Sequence, residues 1–156
     1  MKIGIIVNSL TGNTLSVAER IKDTLTAKGH NVHLGKIKVV NEKPKEGEKI
    51  QIVDYIDVAP YDALIFGAPV NSFSLAPIMK EYLFQLPVIK DKKVVCFMTQ
   101  HFPKPWMGGN RALSQMKQII SDKKGQILSA GIVNWTNKRK EEQIDQLQRE
   151  IADILK

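Results

Sequence analysis

Residues 3–21 read IGIIVNSLTGNTLSVAERI and contain the most informative structural pattern of the chain. The apolar, β-branched run Ile3–Val7 predicts a buried strand, while Val17 and Ile21 have the four-residue spacing of a helix. The segment between them, residues 8–14, consists mainly of Ser, Thr, Asn and Gly, which favour turns and helix starts. A strand, a tight loop and a helix in this order form the first part of a βαβ unit.

The same alternation of strands and helices continues along the chain. Further β-branched runs predict strands at Val32–Ile37, Ala63–Phe66, Val94–Met98 and Ile127–Val133. Helical spacing of apolar residues follows each of the last three strands. The residues concerned are Ile78, Tyr82, Leu83, Leu86, Leu113, Met116, Ile120, Ile144, Leu147, Ile151, Ile154 and Leu155. This pattern predicts an α/β fold in three layers, with a doubly wound sheet of five parallel strands, in a single domain spanning residues 1–156.

Glycine and proline mark the ends of the predicted elements. Gly29 follows the first helix, where a left-handed residue is expected, and Pro77 fits the first turn of the helix after the third strand. Pro44 and Gly47 interrupt a charged segment between the second and third strands. We therefore predict only a short helix in that connection, near Gln51–Asp57.

The chain is basic, with 23 Lys and Arg against 16 Asp and Glu and a formal charge of +7. This balance favours acidic or anionic partners. The basic residues are dispersed and are not interleaved with aromatic side chains, so we predict no nucleic-acid surface. The single cysteine, Cys96, cannot form an internal disulfide, and no stretch approaches the roughly 18 apolar residues that a membrane span needs. We expect a soluble, cytoplasmic protein.

The ligand of an open parallel sheet lies outside the carboxyl ends of the strands, at the point where the strand order reverses. Three loops of this chain leave that edge: Asn8–Thr14, Gly67–Leu75 and Thr99–Asn110. The third is long for such a connection, and long loops are more often functional. We therefore expect the functional site to be formed by these three loops.

The first loop has the composition of an anion site. Ser9, Thr11 and Thr14 supply hydroxyl groups, Gly12 lets the backbone approach a ligand, and the helix start supplies free N–H groups and a positive dipole end. The loop has no lysine, and neither the nucleoside triphosphate pattern nor the dinucleotide pattern of glycines is present. It suits a monophosphate held by neutral donors. The alternative is that Ser9 or Thr11 only caps the helix.

The string Ile5–Thr14, followed by Ala18 and Ile21, resembles the signature of the flavodoxins, with Val7 where that family usually has an aromatic residue. The resemblance implies the flavodoxin-like strand order 2-1-3-4-5 and flavin mononucleotide (FMN) as the cofactor. It also implies which residues surround the FMN phosphate. These are Ser9, Leu10, Thr11, Gly12, Asn13 and Thr14.

The resemblance assigns the flavin ring to the other two loops. The residues it implies are Ala68, Pro69, Val70, Asn71, Ser72, Phe73, Thr99, Gln100, His101, Phe102, Trp106, Gly108 and Gly109. Flavodoxin carriers often have a glycine in the second loop, which lets a peptide turn toward the reduced ring. This chain has none, and Asn71 is the residue there that best tolerates left-handed geometry. We expect Phe73, Phe102 or Trp106 to stack on the ring; alternatively, Trp106 packs on the following helix.

Three other residues invite a chemical interpretation. A loop imidazole such as His101 titrates near neutral pH and is suited to proton transfer, but a single histidine without a visible partner is more often a surface or packing residue. A solvated side chain is the simpler interpretation of Lys104. Cys96 lies in an apolar run and is predicted to be a buried, unreactive thiol. We predict no metal site.

Two redox functions and one binding function are compatible with the sequence. In the first, the protein transfers electrons between partner proteins at low potential, and its positive charge favours acidic partners. In the second, it is an FMN-dependent reductase or oxidase whose small quinone-like or aromatic substrate enters beside His101, Phe102 and Trp106. The third is a flavin-free binding module of the same fold. A phospho-receiver domain is excluded, because Asn8-Ser9 and Gly67-Ala68 stand where it needs acidic residues. A monomer and a homodimer both fit the sequence.

Overall fold

The computed structural model describes residues 1–156, which form a parallel sheet between two helical layers. The strands are β1 (Lys2–Val7), β2 (Asn31–Lys36), β3 (Lys38–Val39), β4 (Ile52–Val53), β5 (Ala63–Asn71), β6 (Ser74–Leu75), β7 (Lys93–Gln100) and β8 (Gln126–Asn134). The helices are α1 (Asn13–Ala27), α2 (Pro77–Gln85), α3 (Gly109–Asp122) and α4 (Lys140–Ile154). None of the four helices combines the length and the apolar composition that a membrane span requires.

The five long strands lie in the order β2-β1-β5-β7-β8, and all neighbouring pairs among them are parallel. Numbered among themselves, these strands have the order 2-1-3-4-5, which confirms the predicted α/β fold and its strand order. The order reverses between β1 and β5, so the carboxyl ends of these two strands flank the switch point. The ends of β1, β5 and β7 carry the three loops singled out in the sequence.

Each face of the sheet packs against its own layer. Ile3, Ile5 and Val7 point from β1 into a core formed with α1 and α4, while Ile6 points into the core formed with α2 and α3. Burial on both faces explains why the strands read as continuous apolar runs rather than alternating ones.

Two helix ends lie at the glycine and the proline from which they were predicted. Gly29 has a φ of 92° after α1, and Pro77 occupies the first turn of α2, as predicted. The strands β5 and β7 extend further than predicted, to Asn71 and Gln100. The second and third loops, at the carboxyl edge of the sheet, are correspondingly shorter than predicted; this edge is called the functional edge below.

The predicted helix near Gln51–Asp57 is wrong. Residues 38–39 instead pair with residues 52–53 as the antiparallel ribbon β3–β4, and Val40 N–H donates to the Gln51 carbonyl at 3.0 Å. Ile50, Ile52 and Ile56 pack on the core formed with α2 and α3, where a crossover helix was expected. The reason is periodicity: Ile50 and Ile52 are two residues apart, which suits a strand and not a helix.

Candidate functional site

The loop between β1 and α1 is held in shape by one side chain and one glycine. Ser9, which is buried, accepts a hydrogen bond at Oγ from the Leu15 N–H at 3.2 Å. Gly12 lies immediately before the helix with a φ of 93°, in the left-handed region that favours glycine. Gly12 occupies the N-cap position, and Ser9 satisfies the Leu15 N–H of the first helical turn from three residues before it.

The same loop leaves a series of backbone donors free. None of the N–H groups of residues 10–14 donates to an acceptor within the protein. Thr11 and Gly12 are exposed, and a Cβ placed on Gly12 would have no atom within 4 Å. Successive free N–H groups at a helix N-terminus form an anion-binding concavity. The loop therefore offers donors to an anion, and an anion site at this position stays a prediction.

Thr14 connects this loop to β7. Its side chain is buried, and its Oγ1 lies 2.7 Å from Oγ1 of Thr99, a residue predicted to belong to the third loop. Two hydroxyl groups that share one hydrogen bond retain one further hydrogen to donate. The structure thus brings together two predicted site residues that are 85 positions apart in the chain.

The second loop is a tight hairpin between β5 and β6. Ala68 is buried and Pro69 and Val70 are half-buried within β5, while Asn71 ends the strand. Ser72 and Phe73 form the turn with φ values of 48° and 62°.

Positive φ at both central residues is the requirement of a type I′ turn, which matches the twist of a hairpin. The left-handed residues are therefore Ser72 and Phe73 rather than Asn71. Their conformation costs on the order of 1–2 kcal/mol per residue in the absence of glycine.

The hairpin is fixed to α3 and to the third loop. Gln115 accepts at Oε1 from the Leu75 N–H at 2.7 Å. A Cβ on Gly108 would lie 2.8 Å from Cα of Phe73, so only glycine allows the third loop to approach the turn so closely. Gly108 also has a φ of 112°. Gly109, which is buried, begins α3.

Two of the three candidate aromatic residues lie side by side. The rings of Phe73 and Phe102 are parallel within 2°, with centroids 5.8 Å apart, and the two residues are 57% and 44% exposed. His101 is exposed and approaches Phe102 edge-on. Trp106 is 73% exposed and stacks on no other ring. Phe73 and Phe102 thus form an exposed aromatic surface at the edge of the sheet from which the first loop also leaves.

Gln100 has its side-chain contacts inside the protein. It is buried, and its Nε2 lies 2.6 Å from Asn134 Oδ1 and 3.1 Å from the Phe102 carbonyl; it also contacts the Lys104 carbonyl. Direct contact of Gln100 with a cofactor stays a prediction.

The connection between β8 and α4 also reaches this edge of the sheet, which was not predicted from the sequence. Thr136 donates to the His101 carbonyl at 2.8 Å, and Asn137 donates from Nδ2 to the Pro103 carbonyl at 2.9 Å. The signal was available, since β8 is parallel to β7 and its carboxyl end reaches the same edge of the sheet. The functional edge therefore includes a fourth connection.

Cys96 is fully buried in β7, as predicted. Burial raises the pKa of its thiol to about 12, because a thiolate loses its hydration there. The thiol is therefore unreactive in the folded protein near neutral pH.

No family model matches the chain, and no curated protein matches it. Solved structures do match. A WrbA-like flavodoxin from Agrobacterium tumefaciens aligns with a TM-score of 0.74 at 14% identity, over 98% of this chain and 94% of its own. The two-electron reduced flavodoxin of Megasphaera elsdenii aligns with a TM-score of 0.71 at 21% identity, over 97% and 98% of the two chains.

A Lactobacillus acidophilus flavoprotein in complex with FMN aligns with a TM-score of 0.67 at 20% identity, over 93% of this chain and 97% of that one. Each of these alignments covers nearly the whole of both chains, while the identities are low. The chain has the flavodoxin-like fold.

Proposed function

We propose that residues 1–156 form a single FMN-binding domain that transfers electrons at low potential between partner proteins. The observation that carries this proposal is the set of unpaired N–H groups of residues 10–14 at the start of α1, at the same edge of the sheet as the exposed rings of Phe73 and Phe102. When bound, FMN would supply the redox chemistry, because its ring takes up and releases electrons. The protein binds and orients this group.

The first loop fits a phosphate monoester. The free N–H groups of residues 10–14 match the acceptor oxygens of a phosphate, and the dipole of α1 adds positive potential there. Open space above Gly12 leaves room for the group. Thr11 adds an exposed hydroxyl, and the Thr14–Thr99 pair retains a donor hydrogen. We infer that Ser9 acts through its bond to the Leu15 N–H, whereas Leu10, Thr11, Gly12, Asn13 and Thr14 contact the phosphate.

The strand ends beside this loop fit the remainder of FMN. Asn8 directly follows β1 and is buried. Its Oδ1 has no hydrogen-bond partner in the protein. A buried acceptor without a donor is unfavourable by about 1–3 kcal/mol. The ribityl chain of FMN carries hydroxyl groups, which could donate the hydrogen bond that Asn8 Oδ1 lacks. The orphaned oxygen therefore supports a polyhydroxylated ligand at the carboxyl ends of β1 and β5.

The aromatic surface fits one face of a flat ring. Planar groups in contact are separated by about 3.5–4.0 Å, so a ring between Phe73 and Phe102 would need about 7 Å or more between them. Their centroids are 5.8 Å apart. We infer that the flavin stacks against an outer face of this pair and not between the two rings. Trp106 is exposed nearby in sequence and is the other candidate for stacking.

Electron transfer fits the electrostatics of the chain better than proton-coupled catalysis. The imidazole of His101 forms no hydrogen bond with the protein, so no second group orients it as an acid or a base. The net charge of +7 favours acidic redox partners, which it would attract through long-range steering.

Because the single cysteine excludes an internal disulfide, we propose that the protein acts in the reducing cytoplasm.

One observation favours the second function, an FMN-dependent reductase of a small substrate. A cavity of about 550 Å³ lies between residues 44–50 and the hairpin, lined in part by Asn71, Ser72 and Ser74. Its volume is in the range of small-molecule sites, roughly 300–1,000 Å³. Two of these lining residues, Asn71 and Ser72, belong to the second loop, to which the resemblance assigns the flavin ring. A substrate in this cavity would lie beside the bound flavin.

Two measurements test these proposals. Purified protein saturated with FMN and dialysed should retain the visible absorbance of flavin in a one-to-one ratio; colourless protein would contradict FMN binding. Stopped-flow reduction of the FMN-loaded protein should then be fast with a flavodoxin reductase and slow with NADPH alone. Fast reduction by NADPH followed by reoxidation with a small quinone would instead support the reductase.

A further inference from the structure

We propose that Thr136 and Asn137, in the connection between β8 and α4, position the loop of residues 101–104 and thereby hold the Phe102 ring in place for the flavin. This inference rests on the proposed FMN site and assigns to it two positioning residues from a fourth connection. Neither residue needs to touch the flavin. Both act through the backbone of the third loop.

The carbonyl groups of four consecutive residues in this loop accept hydrogen bonds from side chains. Thr136 Oγ1 donates to the His101 carbonyl at 2.8 Å, and Asn137 Nδ2 donates to the Pro103 carbonyl at 2.9 Å. Gln100 Nε2 lies within hydrogen-bond distance of the carbonyls of residues 102 and 104 and shares its two hydrogens among these and Asn134 Oδ1. The donors alternate between the end of β7 and the β8–α4 connection, so the loop is bonded to both strands.

Gln100 anchors the other side of this network. Its Nε2 faces three acceptor oxygens, including Asn134 Oδ1 at 2.6 Å, which fixes the orientation of the amide group. A Cβ on Gly109 would lie 2.7 Å from Gln100 Oε1, so the glycine at the start of α3 makes room for this side chain. The contacts of Nε2 thus orient the buried Gln100 amide, while its Oε1 has no hydrogen-bond partner within the protein.

The loop carbonyls point to these donors, and the Phe102 side chain lies 44% exposed on the aromatic surface. There it is parallel to Phe73, whose backbone is packed against Gly108 at the other end of the loop. A ring held in its binding position before the ligand arrives loses less conformational entropy on binding. Thr136 and Asn137 supply the donors for this preorganisation that β7 does not supply.

The two side chains allow closely matched variants. Thr136→Val keeps the shape of the side chain and removes the hydroxyl donor, whereas Thr136→Ser keeps the donor. Asn137→Asp removes the donor to Pro103 but keeps the Oδ1 acceptor that the Arg139 N–H uses at 2.8 Å. Lys138→Gln changes the net charge by the same amount as Asn137→Asp at an exposed neighbour that makes no hydrogen bond or ion pair in the structure.

The first readout needs no flavin. The N–H groups of Met107 and Asn110 donate to the carbonyls of Lys104 and Pro105. Their hydrogen exchange should be about five- to tenfold faster in Thr136→Val/Asn137→Asp than in Thr136→Ser or Lys138→Gln, as expected for the loss of two exposed or half-buried hydrogen bonds that hold the loop. The second readout is affinity, from fluorescence titration with FMN and with riboflavin. Both flavins should bind about tenfold more weakly to the double variant, because the ring is common to both and the phosphate is not. The midpoint of urea unfolding of the apoprotein should stay close to that of the controls.

The outcomes separate this inference from the proposed function. Unchanged exchange of the Met107 and Asn110 amides overturns the inference, and so does faster exchange with unchanged flavin affinity. Loss of affinity for FMN alone would assign the two residues to the phosphate and also overturn it. If the wild-type protein binds neither flavin, the proposed function itself fails and this inference falls with it.

Discussion

Replacing Gly12 by Val tests whether Gly12 makes room for the FMN phosphate, apart from its contribution to the stability of α1. Gly12 has a φ of 93°, and its missing side chain would point into open space. An L-residue in this conformation costs about 1–2 kcal/mol, and a β-branched one more. In addition, the valine side chain would fill the space that we assign to the phosphate. We expect the variant to fold with lower stability and to bind FMN poorly.

The chain offers a matched control at the other end of the same helix. Gly29 has a φ of 92° and equally open surroundings, so Gly29→Val introduces the same backbone strain far from the site. Both variants should lose about 2 kcal/mol of unfolding free energy, measured by urea denaturation. Only Gly12→Val should lose affinity for FMN. Hydrogen bonds to a charged group contribute about 1.5–3 kcal/mol, so the dissociation constant should rise at least about tenfold.

The assay is fluorescence titration of the apoproteins with FMN and with riboflavin, which lacks the phosphate. For Gly12→Val we expect the loss to be confined to FMN, and for Gly29→Val we expect neither affinity to change. Equal losses for the two flavins, or equal losses in the two variants, would show that the start of α1 is not the phosphate site.

Further predictions concern the supports of the site. A methyl group at Gly67 would overlap the ring of Phe97, both being buried, so Gly67→Ala should lower the unfolding free energy by about 3 kcal/mol in urea denaturation. Gln115→Leu should leave the Leu75 N–H unpaired and speed its hydrogen exchange relative to wild type. The raised pKa of Cys96, about 12 against 9.0 for a free thiol, means that its thiol favours the folded state below pH 9 and that this contribution falls between pH 9 and 12. Wild type should therefore lose more stability than Cys96→Ala over that interval, and identical pH profiles would contradict the assignment.

The fold was predictable from the sequence because its main signals are local. Ile3–Val7 and the other apolar runs identify the strands, and Gly29 and Pro77 identify helix ends through conformational requirements of single residues. The prediction failed in the connection between β2 and β5. There the charged residues between Ile37 and Ile50 obscured a two-residue periodicity, and pairing of β3 with β4 depends on contacts between segments that lie more than ten residues apart.

The candidate site was predictable in location but not in its internal contacts. The switch point follows from strand order, and the composition of residues 9–14 indicated an anion. The turn at Ser72 and Phe73 was not foreseen, because neither residue type favours a left-handed conformation. The bond between Thr14 and Thr99 and the bonds from Thr136 were not foreseen either. They join residues from distant parts of the chain, for which a single sequence carries no signal.

Two residues at the end of β7, Thr99 and Gln100, join the first loop, the third loop and the end of β8 into one site. Successive side chains of a strand point to opposite faces, so Thr99 and Gln100 point in opposite directions. Thr99 contacts Thr14 of the first loop, and Gln100 contacts Asn134 at the end of β8. Two adjacent residues of one central strand thus connect the anion site on one side with the aromatic loop and its supports on the other. Because both side chains are buried, substitution of either one should perturb the first loop as well as the third loop.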